Sequence, residues 1–583
     1  MVKTLLVYLK NYKKETILAP LFKMLEATFE LFVPLVMAAI IDTGIAQKNQ
    51  RYILAMSGVL IALGLIGLVC SITAQYFSAK AACGFAAKIK TALFEKLQSM
   101  SFSQMDHIGA STMINRMTTY VNQVQKGVKM VLRLFLRSPF IVFGAMIMAF
   151  TIDVKAALIF MIVIPVLSVI VFGIMMLTIP LYKKVQKQLD YVLEKTRESL
   201  TGIRVIRAFG KEEEEISDFD KRNNALTKFQ QYVGKISALM NPVTYVVINI
   251  AIVALIYIGA LQVEAGILTQ GAVVALYNYM SQILVELIKL ANLIITMTKS
   301  MASAERIAGI FKIAENENKN LEFEDNKEST ESGYQVIFDK VSLSYENAGE
   351  EALSDIDFKV KRGEVVGIIG GTGSGKTSLV HLIPAFYKAT KGNVYVNGKN
   401  VQNYNFEKLR EKIGIVMQKA VLFQGTIREN MLWGNKNASD EEIIQAIETA
   451  QARDILLKKE KGLDEWIEQG GRNLSGGQRQ RLSIARALVR KPEILILDDS
   501  ASALDYATDA ALRKSLWALD YHPTVFIVSQ RTSSILHADK IIVLDDGHVE
   551  GIGTHEELLT SCLVYKEIYD SQFKKETGKE AAL

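Results

Sequence analysis

Six apolar blocks, each about as long as the ~20 residues a helix needs to cross a bilayer, fill the first half of this 583-residue sequence. They run roughly over 16–41, 53–77, 133–152, 156–179, 238–261 and 272–296. Lipid offers a peptide group no hydrogen-bond partner, so such blocks cross as helices whose backbone bonds close within the segment. Blocks one and two, three and four, and five and six are joined by short links, Asp42–Arg51, Asp153–Lys155 and Val263–Gly271. The other two connections are long and basic. Lys80, Lys88, Lys90, Lys96 and Arg116 lie in the first, and Lys183, Lys184, Lys187, Arg204, Arg207 and Lys221 in the second. Positive charge stays on the cytoplasmic side, which puts both long connections and both termini there. The expectation is a multi-pass protein of the cell (plasma) membrane with a cytoplasmic N-terminus.

Half the residues are hydrophobic while 22% are charged, with a net charge of +6. Mean hydropathy is +0.19. That average hides an apolar first half and a second half of ordinary globular alternation. The basic residues crowd the flanks of the apolar blocks and form no stripe, so they read as topology determinants and not as a nucleic-acid footprint. Lys3, Lys10, Lys13 and Lys14 precede the first block without a cleavage pattern, as in an amphipathic entry helix at the membrane surface. Cys70, Cys83 and Cys562 have no metal-ligand spacing and read as unpaired thiols.

The long connections have helical periodicity and read as cytoplasmic extensions of the spans. Their expected tips are Gln104–Thr112 and Gly210–Phe219, either contacts for a cytoplasmic domain or solvated hairpins. Within the spans, ionisable groups are costly and face a bundle interior or cavity. Glu26 and Glu30, four residues apart, share a helix face. With Glu286 and Asn241 they are candidates for a cavity that binds cationic or amphipathic molecules; the competing account is structural pairing, for example of Glu286 with Lys289. Asn249 and Asn278 are equally ambiguous. Tyr277, Tyr279, Met280 and Met297 suit either an adaptable cavity or plain packing.

Glu315–Ser332 is acidic and poor in apolar residues, which sets a linker over 313–333 between a membrane domain (1–312) and a second domain (334–583). The second domain opens as strands, the third leading into GGTGSGKT: Gly370, Gly371, Thr372, Gly373, Ser374, Gly375, Lys376 and Thr377, with Ser378 following. Strand, glycine-rich loop and helix make a phosphate cradle of backbone N–H groups at a helix start. Lys376 is expected to reach the β- and γ-phosphates and Thr377 to hold Mg²⁺. The run ILILDDSASALD (494–505) reads as a buried strand that delivers Asp498 and Asp499 at its carboxyl end.

The segment NLSGGQ, with Leu474, Ser475, Gly476, Gly477 and Gln478 just before a helix, resembles the signature of ATP-binding cassette (ABC) proteins. The resemblance extends to GASTMINRMT, GIRVIRAFGKEEEE and SAERIAGIF in the first half, as in exporter-type members. It implies an α-helical membrane domain of six transmembrane helices, type I exporter-like, fused to an α/β P-loop ABC nucleotide-binding domain. It also implies that Tyr345 stacks on adenine, Asp498 and Gln418 accompany Thr377 at Mg²⁺, and Asp505 belongs to a loop communicating across a dimer. Glu468–Arg472 stands where the family has a segment touching the membrane-domain tips, though without its usual acidic pattern. The signature would serve ATP held by a second half-transporter.

Two positions depart from the family pattern. Asp499 stands in place of the catalytic glutamate and Gln530 in place of a histidine. The expectation is an ATP-driven exporter subunit for small hydrophobic or amphipathic, multidrug-type compounds. Its own site hydrolyses slowly, and its intact signature serves the site of a non-identical partner. A lipid flippase, a peptide exporter, a homodimer and an ATP-gated channel-type member remain as other readings.

Overall fold

The structure is a computed structural model describing residues 2–313, 333–345, 348–457 and 460–577. The expected linker Glu315–Ser332 lies outside the described residues. The chain divides into two compact units. Residues up to Gln98 with Ser111–Ile313 form the first, and Ser99–Ala110 joins the described residues beyond the linker in the second. A single boundary near residue 312 therefore misses one excursion of the chain.

The first unit holds six helices long and apolar enough to cross a membrane: Thr4–Ile45, Gln50–Gln98, Ala110–Ile152, Val154–Thr201, Glu212–Glu264 and Gln270–Phe311. Their core combines small and large side chains. Ala145, Ala149, Ala156, Ala251 and Ala275 let backbones approach, and Phe160, Leu255, Tyr279 and Leu287 fill the space between. The second helix differs in leaving its apolar stretch almost wholly unburied; Leu54, Ile61, Leu65 and Val69 point outward, as lipid-facing residues do. Asp42 ties the end of the first helix to the start of the sixth. Its carboxylate accepts from Thr269 Oγ1 at 2.6 Å and from the Gly271 N–H at 2.7 Å. Gly271 is obligatory there, since a Cβ would lie 2.4 Å from the Ala38 carbonyl.

One expected tip is corrected. Of residues Gly210–Phe219 only Gly210, at φ 60°, and Lys211 lie in the turn: the fourth helix ends at Gly202, a short helix Ile203–Ala208 follows, and the chain is helical again from Glu212. Four consecutive glutamates, Glu212 to Glu215, occupy the first turn of the new helix. Negative charge is stabilising at that end of a helix dipole, so the acidic run starts a helix where it suggested a loop. Glu215 also reaches back to Lys195 at 2.9 Å and Ser199 at 2.9 Å.

The second unit contains twelve strands among the described residues: β1 (Tyr334–Leu343), β2 (Leu353–Lys361), β3 (Val365–Gly370), β4 (Lys391–Val396), β5 (Lys399–Asn400), β6 (Ile413–Val416), β7 (Gly425–Thr426), β8 (Trp466–Ile467), β9 (Ile494–Asp498), β10 (Thr524–Val528), β11 (Lys540–Asp545) and β12 (His548–Gly553). An antiparallel sheet runs β2-β1-β4-β5 and a six-stranded sheet runs β12-β11-β3-β10-β9-β6. In the larger sheet β11, β3, β10, β9 and β6 are parallel, with β12 antiparallel at the edge. Parallel strands covered on both faces are apolar throughout, and β3, β9 and β10 are buried at every residue. Because β10 lies between β3 and β9, the residues ending these three strands converge at one edge of the sheet.

Residues 99–110 contribute a capped helix, Phe102–Ile108, to this unit. Phe102 stacks on Phe386 with centroids 4.2 Å apart, and the Tyr387 hydroxyl donates to Asp106 at 2.6 Å.

Candidate active site

The loop between β3 and the helix Lys376–Leu382 is shaped by glycines at positive φ. Gly375 has φ 92°, and a Cβ there would come within 2.7 Å of the Ala352 carbonyl. Only glycine gives this turn without strain. Lys376 begins the helix, nearly buried, with Nζ donating to the Gly370 carbonyl at 3.0 Å and to Ser374 Oγ at 3.3 Å. Burial pulls its pKa down, opposed by the carboxylates of Asp499 and Asp498.

Asp498 ends β9, 1% exposed, and accepts from Thr377 Oγ1 at 2.9 Å. Asp499 leaves the strand in the left-handed region with φ 47°, a conformation aspartate tolerates better than most residues. Its backbone N–H donates to the Val528 carbonyl at 3.0 Å, and its Oδ2 accepts from Gln418 Nε2 at 3.2 Å. Burial pushes both carboxyls above the usual carboxylate range. Thr377 opposes this at Asp498, Gln418 at Asp499 and Lys376 at both, while the Asp499 charge raises Asp498 further.

These groups line one cavity of about 310 Å³, together with Tyr345 and Gln530. Tyr345 sits at its wall with its hydroxyl 2.8 Å from Ser378 Oγ. Gln530, two residues beyond β10, presents an exposed side chain. The sequence-separated candidates Tyr345, Gly373, Gly375, Lys376, Thr377, Ser378, Gln418, Asp498, Asp499 and Gln530 are thus assembled around one space. The donors suit a hard cation. Thr377 and Asp498 offer paired oxygens, and no cluster of three His, Cys, Asp or Glu residues occurs among the described residues. That pattern fits Mg²⁺, which takes one or two protein oxygens and fills its other positions with phosphate and water. A larger groove of about 620 Å³ in the same unit is walled by Phe102, Phe386, Phe423, Trp433 and Arg486. It carries three arginines, Arg410, Arg486 and Arg490, but has no glycine-rich loop and no carboxylate to hold a cation beside a phosphate.

Leu474–Gln478 lies outside this cavity wall. Ser475 caps the helix Gly476–Val489, its Oγ accepting from Gln478 N at 3.3 Å while Gln478 Oε1 accepts from Ser475 N at 2.9 Å. Ser475 and Gly476 are exposed, so this helix start with its N–H groups is open to solvent. Asp505 caps the next helix, Tyr506–Trp517, through Thr508 N at 3.1 Å, and that bond lowers its pKa. In the Glu468–Arg472 segment, Gly470 and Gly471 turn at positive φ, and the Gly470 N–H donates to Leu422.

The membrane candidates separate. Glu30 and Glu286 line a cavity of about 390 Å³ with Val33, Pro34, Met37, Ile141, Asn278 and Lys289. Glu26 and Asn241 do not. Glu26 pairs with Lys23 at 2.5 Å, and Asn241 is exposed on the fifth helix. The residue that sequence reasoning passed over is Arg137, 7% exposed at the start of the third block. Its guanidinium forks to Glu30 at 2.6 Å and Glu286 at 2.7 Å. Glu286 also takes Ser138 and Lys289, each at 2.8 Å. His381 was missed as well. It lies four residues after Thr377, hence on the same helix face, with Nε2 3.8 Å from Asp498 Oδ2. Burial lowers its pKa, with Asp106 acting in the other direction.

Comparison with known proteins follows the same division of the chain. Residues 16–287 match the ABC transporter transmembrane region and 353–502 the ABC transporter domain. An uncharacterised ABC transporter ATP-binding protein of Bacillus subtilis, YfiB, is 36% identical over 576 residues, covering 99% of each chain. A putative multidrug export ATP-binding/permease protein of the same organism, YgaD, is 30% identical over 98% of this chain and 99% of its own. Among solved structures, a bacterial Atm1-family ABC exporter with ATP bound superposes with a TM-score of 0.80 at 22% identity, over 96% of this chain and 98% of that one.

Proposed function

The chain belongs to the ABC transporter family, as an exporter whose membrane and ATP-binding parts share one polypeptide, and we propose that its own ATP site is degenerate and that it works beside a non-identical partner. As a family member it is a multi-pass membrane protein that binds ATP, couples ATP hydrolysis to transport and acts as a dimer in the bilayer. The observation that carries the proposal is the cavity wall itself, where Asp499 and Gln530 face the P-loop in the places of a glutamate and a histidine.

In this reading the P-loop backbone wraps the phosphates, Lys376 exchanges its carbonyl partners for phosphate oxygens, and Tyr345 stacks on the base. Thr377 and Asp498 would hold Mg²⁺, with Gln418 beside them; the ion would supply charge neutralisation on the phosphates. The base position is where the site falls short. Burial raises the Asp499 pKa, so proton affinity is not what the residue lacks. Reach is: aspartate is one methylene, about 1.5 Å, shorter than glutamate, and misplacement by about 1 Å can cost about 100-fold in rate. Gln530 can hydrogen-bond a γ-phosphate but has no protonated form to offer charge or a proton. ATP is therefore held longer than it is hydrolysed. Ser475, capped and exposed outside this cavity, is free to meet ATP on the partner.

The transported compound is hydrophobic or amphipathic. Supporting this is the membrane cavity, whose lining is itself amphipathic: Val33, Pro34, Met37, Ile141 and Val285 stand beside the polar groups Glu30, Asn278, Ser281, Gln282, Glu286 and Lys289. The basic connections face the cytoplasm, as does the ATP-binding unit. The experiment is the double replacement Asp499→Glu with Gln530→His, assayed for ATP turnover in lipid nanodiscs with the chain alone and with co-expressed half-transporters. Turnover should rise about 100-fold at this site. Fast transport-linked turnover by the unaltered chain alone would overturn both degeneracy and the unlike partner.

A further inference from the structure

We propose that Gln572, on the C-terminal helix, is a positioning residue that sets the direction in which Gln530 points at the nucleotide. The inference rests on the reading of Gln530 as a γ-phosphate contact.

The C-terminal helix Leu563–Thr577 docks through one face. Tyr565 is fully buried, its hydroxyl 2.7 Å from His555 Nδ1, and Ile568 packs against the same core. Gln572 continues that face, since 565, 568 and 572 follow the i, i+3, i+7 spacing of a helix stripe. Its side-chain amide then makes three bonds to one short stretch of chain. Oε1 accepts from the Thr532 N–H at 2.9 Å and from Thr532 Oγ1 at 2.7 Å, and Nε2 donates to the Gln530 carbonyl at 2.8 Å.

That carbonyl matters because of what holds the residues around it. On the near side, the Ser529 N–H is fixed to the Ile368 carbonyl at 3.0 Å, as an extension of the sheet. On the far side, Ser533 and Ser534 are fixed by Arg513 at 2.8 Å and Asp509 at 3.0 Å. Arg531 lies over the Tyr506 ring with its Nη1 3.3 Å from the Leu504 carbonyl. Gln530 lies between these anchors with an exposed side chain. Where a side chain leaves the backbone is determined by the peptide planes on either side of its Cα. The sheet fixes the Val528–Ser529 peptide, one plane before those that flank Gln530, and the plane after Gln530 is held at its carbonyl by Gln572 and at the Arg531 N–H by Ser529 Oγ, 2.9 Å away. A contact held by a second ring of hydrogen bonds is preorganised; without them it must be ordered at each encounter.

A helix that merely needed docking could place an amide anywhere along its face. This one bonds to the backbone of the residue that faces the phosphates, and to the fully buried Thr532 two residues on. The C-terminal helix thereby becomes part of how the site distinguishes ATP from ADP.

The test uses the full chain in lipid nanodiscs and measures affinities for fluorescent ATP and ADP analogues. Gln572→Glu keeps an acceptor for Thr532 but loses the donor to Gln530; Gln572→Ala loses both. Each should reduce the preference for ATP over ADP about tenfold, the scale of one lost positioning hydrogen bond, with ADP affinity unchanged. Gln530→Ala should reduce it at least as much, and Gln530→Ala with Gln572→Glu no further, because both act through one contact. An unchanged preference in Gln572→Glu, or additive losses in the double variant, would overturn the positioning role while leaving Gln530 in the site. An unchanged preference in Gln530→Ala would remove the γ-phosphate reading and the inference with it.

Discussion

Replacing Arg137 with methionine removes the cation that joins two carboxylates inside the membrane unit. Arg137 is 7% exposed and forks to Glu286, whose side chain is 4% exposed, and to Glu30, at 42%. Removing one partner from a buried ion pair costs about 3–5 kcal/mol, because a charge is left uncompensated. The lower end applies here. Glu286 keeps Ser138 and Lys289 at 2.8 Å each, and Glu30 has access to solvent or cavity water. The expected loss is about 3 kcal/mol. Glu286→Gln attacks the same network from the other side, so the pair Arg137→Met with Glu286→Gln should be less destabilised than the sum by about 2 kcal/mol. Unfolding by sodium dodecyl sulfate in mixed micelles reads all four corners of the cycle. Interhelical hydrogen bonds in membranes average only about 0.6 kcal/mol. A coupling below about 0.5 kcal/mol would mean that Arg137 is one such bond, and the ion-pair account would fail.

Three further outcomes follow from the ATP-binding unit. Ser475→Ala removes the cap of the Gly476–Val489 helix, costing about 1 kcal/mol in unfolding; turnover of the assembled dimer should fall while ATP affinity at this chain's own P-loop is unchanged. Gly375→Ala places a methyl group 2.7 Å from the Ala352 carbonyl at φ 92°, so ATP binding measured by fluorescence should be lost even where the protein still inserts in membranes. The raised pKa of Asp498 and Asp499 makes protons competitors for a bound cation. A carboxyl with a raised pKa keeps its proton to higher pH, so the Mg²⁺ concentration needed for half-maximal ATP binding should rise as pH falls from 7 towards 5. A flat dependence would contradict the buried-pair description.

What could be read directly from the residues was what short-range physics determines. Apolar stretches long enough for lipid became six spans, because a peptide group in hydrocarbon must bond within its own helix. GGTGSGKT after an apolar run became a tight loop between strand and helix, because only glycine passes through the required φ values. That Asp499 follows Asp498 and that Gln530 follows the β10 strand needs residue identity alone. The tip after the fourth span was misplaced for a local reason too: an acidic run suits both a solvated loop and a helix N-terminus, and Gly202 was the stronger breaker.

Only the tertiary structure decided who meets whom. Arg137 finds Glu30 at a separation of 107 residues and Glu286 at 149, which no periodicity reveals. Gln572 reaches back 42 residues to the Gln530 carbonyl, although nothing in its own neighbourhood marks it. Residues 99–110 join the second unit through Phe102 and Asp106, two ordinary residues in a polar connection. Helix faces and strand ends are local properties; the pairing of one with another depends on how they pack across the whole chain, and there the sequence offers many equivalent partners.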